Sequence, residues 1–310
     1  MGAAIELAPM RIGSLSTVSL FLVSLCAHAQ TAPAPPALPD AYDGSVYDGF
    51  EAPTLSDIWE TGRFVPGAVT IQSQIVRAGH SAVRVDLHSH DRFALGKDGD
   101  LDIERDEIKE AGRLSAREDT PYEYSWSMYL AADFPIVPVR LVVAQWQQNC
   151  NHTPLPAPAP PAPESLQLGV QPVPGRGPCD NDSPVLAIRY IEGFLRVTRA
   201  LGDNKFTLWE EKRDLRGRWL DIRVQARFTP ESTGRVKVWF REDGIEKQVV
   251  DYFGPIANPE TPTSGYHSPS TYNFKFGLYR DVMPQPMTAY FDEYRKKQLP
   301  SESMDSPSKP

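Results

Sequence analysis

Proline restricts this chain more than any other residue. There are 30 in 310 residues, about twice the usual share. Each one locks φ and removes a backbone donor, which excludes a mostly helical protein. Strands joined by stiff loops accommodate prolines at their ends and edges. The prolines also cluster. Thr31 to Asp40 reads TAPAPPALPD, and Thr153 to Pro178 holds nine more. The first stretch reads as an extended linker, the second as a long surface insertion.

Elsewhere the pattern is period two. Ser81-Ala-Val-Arg-Val-Asp-Leu alternates apolar and polar residues, as do Tyr122 to Leu130, Leu186 to Ile191, Trp219 to Phe228 and Arg235 to Phe240. Such alternation puts one face of each strand on a core. Turn signals at Gly193, Gly217 and Asp243-Gly244 separate the runs. Helical periodicity is sparse; Leu101 to Glu110 fits a helix and a strand equally well. With 41% hydrophobic residues, the chain can bury one large core. Many short strands over about 250 residues predict an all-β, two-sheet sandwich of the β-jelly-roll type.

The N-terminus reads as an export signal. Met10-Arg11 precedes the apolar run Val18 to Leu25, then Ala27-His28-Ala29. A short positive region, a short apolar region and an A-x-A site fit a signal peptide over 1–29. A linker over 30–41, a domain over 42–299 and a frayed tail over 300–310 complete the expected layout. No segment after the leader is long and apolar enough to span a membrane. Removal of Cys26 with the leader leaves Cys150 and Cys179. In an oxidising compartment these are expected to bridge the insertion over 150–179, worth about 3 kcal/mol by chain entropy. A metal site with His152 is the weaker alternative.

The net charge is −8, which disfavours nucleic-acid and anionic-membrane partners. P-loop, dinucleotide-binding, G-x-S-x-G and H-E-x-x-H signatures are not found. Three other segments carry chemistry: Glu104-Arg105-Asp106-Glu107-Ile108, Ala144-Gln145-Trp146-Gln147-Gln148, and Tyr272-Asn-Phe-Lys275-Phe-Gly277-Leu-Tyr279-Arg280. On strands, Arg105 and Glu107 share a face, as do Gln145 and Gln147, and Lys275, Gly277 and Tyr279. A groove of Arg, Gln, Lys and Tyr suits an extended anionic substrate, and Gly277 leaves room for a ligand near the backbone. Arg105 with Glu107 also reads as a cross-strand ion pair, Gln145 and Gln147 as solvated strand polars, and Lys275 beside Tyr279 as a snorkelling pair.

The order R-x-E, Q-W-x, Y-x-K-x-G-x-Y-R resembles jelly-roll polysaccharide lyases of the heparin lyase I, glucuronan lyase and alginate lyase type. Gly193-Phe-Leu-Arg-Val, Gly217-Arg-Trp-Leu-Asp-Ile, Gly234-Arg-Val-Lys-Val-Trp and Ala289-Tyr-Phe-Asp-Glu-Tyr-Arg add to the likeness, which runs from about Gly49 to Arg295. The resemblance implies β-elimination of a uronate polysaccharide. It assigns Gln145 and Arg105 to the sugar carboxylate and Tyr279, assisted by Lys275, to the proton transfers. Glu107, Gln147, Arg280, His88, His90 and Trp146 are the expected substrate contacts, although tryptophans in strands fill cores more often than they bind sugars. The family has a His where this chain has Gln147, and Gln neither carries a charge nor takes a proton. Either Tyr279 performs both transfers, or His88 or His90 substitutes, or catalysis is lost. No cofactor is implied; Asp292 is a candidate ligand for a structural calcium. The expected protein is a secreted or periplasmic monomer acting on an anionic polysaccharide. The alternatives are a non-catalytic glycan-binding relative and a jelly-roll glycoside hydrolase, which needs two facing carboxylates.

Overall fold

The computed structural model describes residues 45–61, 63–92, 102–149, 184–202, 204–259 and 270–304. The expected leader, linker, Cys150–Cys179 bridge and proline-rich insertion lie outside them. The strands in chain order are β1 Val46–Asp48, β2 Trp59–Glu60, β3 Val69–Gln72, β4 Ala82–Leu87, β5 Ile103–Glu110, β6 Ala116–Arg117, β7 Pro121–Leu130 and β8 Leu141–Asn149. They continue with β9 Leu186–Ile191, β10 Phe194–Leu201, β11 Asn204–Lys212, β12 Trp219–Arg227, β13 Arg235–Glu242, β14 Ile245–Phe253, β15 Thr271–Asp281 and β16 Met287–Gln298. They form two antiparallel sheets. The back sheet runs β14-β13-β12-β7-β16-β4-β3, with β1 on β16; the front sheet runs β11-β10-β9-β8-β15-β5-β2, with β6 on β15. This is the two-sheet jelly-roll sandwich that the alternation predicts. Among the described residues no helix is long and apolar enough to cross a membrane.

Aromatic side chains from both sheets fill the space between them. On β15 Phe274 and Phe276 point inward, where Phe276 stacks on Phe291 at 4.7 Å and Phe274 on Tyr294 at 5.5 Å. Trp126 meets Phe274 at 5.1 Å. Burying each such side chain contributes roughly 1.5–3 kcal/mol. Because side chains alternate, a strand whose Phe274 and Phe276 face inward must present Asn273, Lys275 and Tyr279 on its other side.

Two details depart from the sequence expectations. In the segment that fits helix and strand equally, Ile103–Glu110 is a strand: residues 103–109 pair with β15 from Asp281 to Lys275, and this continuous ladder settles the ambiguous period. The tail is not frayed throughout. Ser301–Met304 forms a 3-10 turn, and Met304 is buried. Arg227 donates to the Ser301 carbonyl and Arg235 to the Met304 carbonyl, which satisfies the backbone that a free tail would leave to water.

The Asp243-Gly244 hairpin holds both residues at positive φ, 49° and 81°, the requirement of a two-residue turn of primed type. Gly277 serves a different purpose. Its φ is 136°, and a Cβ there would lie 2.4 Å from the Asp106 carbonyl oxygen. The backbone that Gly277 admits is therefore that of β5, not a ligand's. Next to it the pairing of β15 with β8 slips between Phe276 and Tyr279.

Candidate active site

Three central strands of the front sheet build the site: β5, β15 and β8. Directly opposed residues share a face in an antiparallel pair. Tyr279 stands opposite Arg105, and Gly277 opposite Glu107. Lys275 stands opposite Gln145, Asn273 opposite Gln147, and Tyr279 opposite Val142. One outer surface thus collects Arg105, Glu107, Gln145, Gln147, Lys275 and Tyr279. This is the convergence that the three sequence segments predict.

The contacts are specific. Arg105 lies over the Tyr279 ring at 5.1 Å, and Arg140 lies over the same ring at 5.3 Å. Arg140 is in turn paired with Asp281 at 2.6 Å. Gln145 donates its side-chain amide to Glu107, and Lys275 donates Nζ to Gln147 Oε1 at 2.7 Å. Lys275, Gln145 and Glu107 are almost fully buried, while Arg105, Gln147 and Tyr279 are half-buried. Burial, and secondarily the nearby Arg105, push the Lys275 amine down to about 8, against the opposing pull of Glu107.

Two arginines that the sequence reading passed over belong to this surface. Arg140 precedes β8, and Arg189 on β9 stands opposite Val142, the residue that faces Tyr279. Arg189 feels the charges of Arg140, Tyr279 and Asp281. The signal available was the alternation Leu186-Ala-Ile-Arg-Tyr-Ile, which puts Arg189 on the same side as Ala187, the neighbour of Gln145.

Other expected contacts stand elsewhere. Trp146 is completely buried between the sheets, against Tyr124, Phe274 and Phe228, so it is core and not a sugar platform. Arg280 is also fully buried, paired with Glu104 at 2.8 Å and donating to the Gln285 and Met283 carbonyls. Both alternate with outer-surface residues and therefore face inward. His88 and His90 are exposed on the turn after β4. The His88 ring meets Asp91 at 3.2 Å, and the Asp91 carbonyl accepts the Arg105 amide at 3.1 Å; the turn thus abuts the site through its backbone. Asp292 accepts the backbone amides of Arg77, Ala78 and Glu293, so donors face it where a cation needs oxygens. Burial raises its carboxyl to about 7.

The acids that a hydrolase would use are dispersed. Glu104 is locked to Arg280, and Asp106 faces inward, accepting the Val65 amide. On the back sheet a cavity of about 400 Å³ is lined by Arg77, Asp221, Arg223, Arg241 and Glu246. Its charges satisfy one another: Arg77 pairs with Asp221 at 2.9 Å, and Arg223 with Glu246 at 2.6 Å.

The comparisons with known proteins agree with this architecture. The polysaccharide lyase family model matches residues 48–295. An endo-β-1,4-glucuronan lyase from the fungus Trichoderma reesei has a similar fold, with a TM-score of 0.52 at 16% identity, covering 78% of this chain and 91% of that one. The alginate lyase Aly36B superposes with a TM-score of 0.50 at 10% identity, covering 84% and 98%. No curated protein matches the sequence. The matched span contains nearly all of both sheets and every residue of the site, and on that match the chain belongs to the polysaccharide lyase family.

Proposed function

We propose that this protein is an exported lyase that cleaves a uronate-containing polysaccharide by β-elimination, with Tyr279 at the reacting carbon. The observation that carries this reading is the pair of guanidiniums, Arg105 and Arg140, flanking the Tyr279 ring on a surface shared with Gln145 and Lys275. The C5 proton of a uronate is α to a carboxylate and becomes acidic only when that carboxylate is neutralised. Arg105 and the Gln145 amide are suited to hold it and to stabilise the enolate-like charge that develops. A phenol titrates near ~10 when free, and neighbouring cations favour its ionised form. The Tyr279 oxygen then takes the C5 proton and returns a proton to the departing O4. Because Gln147 cannot carry a proton, Tyr279 serves in both roles. Lys275 holds Gln147 and adds positive charge below the sugar.

The likeness to a glucuronan lyase and an alginate lyase supports the polyuronate substrate class. The leader-like N-terminus and the polymeric substrate support a place outside the cytoplasm, where a bridge between Cys150 and Cys179 would form. We take the working unit to be a monomer, without nucleic-acid partners and without a cofactor.

A second reading, a glycan-binding protein without turnover, is favoured by one observation: Gln147 replaces the expected His, and its oxygen is occupied by Lys275. Ultraviolet absorbance of the unsaturated uronate product separates the two. Screened over glucuronan, alginate, heparin-like and pectic polymers, the protein should raise the absorbance on at least one. Tyr279→Phe should lower that rate by about 10²-fold or more. A rise that survives Tyr279→Phe at full rate would remove Tyr279 from the chemistry, and binding without a rise would establish the second reading.

A further inference from the structure

Arg189 is 9% exposed, yet no described carboxylate pairs with it. Its polar contact is Nε donating to Thr198 Oγ1 at 3.0 Å. Two more deeply buried arginines are treated differently. Arg280 holds Glu104 at 2.8 Å, and Arg235 holds Asp251 at 2.7 Å. A buried guanidinium without an anion is costly, because its lost hydration is not replaced. Burial and the like charge of Arg140 both disfavour its cationic form. Among the described residues, the carboxylate that acts on it from nearby is Asp281, which is bound by Arg140 at 2.6 Å.

Position gives this cation a purpose. Arg189 stands on β9 across Val142 from Tyr279, and Ala187, on the same face of β9, stands across from Gln145. It therefore borders the phenol on the side away from Arg105. Two strand spacings, each about 4.8 Å, separate the backbones of Tyr279 and Arg189, a gap that an arginine and a tyrosine side chain span together.

We infer that Arg189 is a carboxylate-binding residue of this surface, taking a uronate carboxylate of the bound polysaccharide beside Tyr279. The planar fork of a guanidinium matches a carboxylate in two-pronged fashion, and Nε is already committed to Thr198, which fixes the plane of the fork. A substrate anion supplies a counter-charge where no described carboxylate pairs with Arg189. The inference rests on the polyuronate reading of the site, and it adds to it a cation at the Tyr279 end of the surface, away from the uncharged Gln147 opposite Asn273.

The test uses titration calorimetry on the full chain carrying Tyr279→Phe, so that ligand is not consumed. The probes are oligoglucuronate and oligomannuronate, each beside its carboxyl-reduced neutral counterpart. Arg189→Gln should weaken binding of the charged oligomer at least tenfold and leave the neutral one unchanged. Arg189→Lys should recover most of the loss, and unchanged melting temperatures should show that each variant is folded. Equal affinity of Arg189→Gln and its parent for the charged oligomers, equal losses for charged and neutral oligomers, or no binding by the parent would each overturn the assignment. Lyase activity of the chain with Tyr279 and Arg189 intact is measured in parallel. If that chain is inactive but binding depends on Arg189, the elimination reading fails and the carboxylate site stands. If it is active and binding ignores Arg189, the reverse holds.

Discussion

Gln145 on β8 donates its side-chain amide to Glu107 on β5 across the full width of β15. The bond passes beside Gly277, which presents no side chain to obstruct it. Glu107 thereby orients the amide proposed to hold the substrate carboxylate, and it also opposes the loss of the Lys275 proton. Glu107→Ala should therefore slow elimination by roughly tenfold to a hundredfold, the scale expected of a misplaced positioning group. Steady-state rates on the best polymer check this. An unchanged kcat would show that Gln145 needs no such support.

Lys275 gives the site a pH dependence of predictable sign. With its amine held near about 8, it is charged at pH 7 and largely neutral at pH 9. Its positive charge faces the proposed anionic polymer only in the lower range. KM for the polymer should accordingly rise between pH 7 and 9. Lys275→Arg, whose side chain stays charged throughout, should flatten that rise. KM profiles of the two proteins that run in parallel would remove Lys275 from substrate attraction.

Much of the sandwich was legible because strands alternate, and the same rule identifies where the reading strayed. Tyr279 and Arg280 are adjacent in the chain, as are Gln145 and Trp146; on a strand, adjacency means opposite faces. Counting Arg280 and Trp146 among the expected substrate contacts overlooks this rule, which turns both inward. Arg189 was overlooked for another reason. An arginine in an alternating strand reads as an ordinary solvated residue, and its meaning lies in its burial without an ion pair to any described carboxylate. The inward charges of β5 had no local signature at all. Glu104, Asp106 and Glu110 occupy positions that apolar residues would normally fill, and their partners are distant in sequence: Arg280 on β15, the Val65 amide in a loop, and Tyr294 and Lys296 on β16.

Glu110 and Lys296 are one such pairing, joined at 3.0 Å with both side chains buried, and Tyr294 also donates to Glu110. Removing one partner leaves an uncompensated charge in the core. Lys296→Met should cost about 3–5 kcal/mol. The double change Glu110→Gln with Lys296→Met should recover most of that loss, because no ion is then stranded. Denaturant unfolding of the single and double variants measures the difference. Equal stability of the two would show that the pair is not an isolated electrostatic unit.

Asp106 makes the fold itself sensitive to pH. Its carboxyl is fully buried and accepts the Val65 amide, and desolvation raises it to about 8, with Asp91 and Glu107 adding repulsion. In the unfolded chain an aspartate titrates near ~3.9. Between those values the folded state holds a proton that the unfolded chain has released. Raising the pH from 5 to 8 therefore favours unfolding at this site, and the stability it contributes at low pH is lost as pH climbs toward about 8. Asp106→Asn keeps the shape and the neutral state at every pH. Its advantage over the parent should be small near pH 5 and grow to several degrees in melting temperature by pH 8. A variant-to-parent difference that stays constant across this range would place the Asp106 carboxyl outside the control of stability.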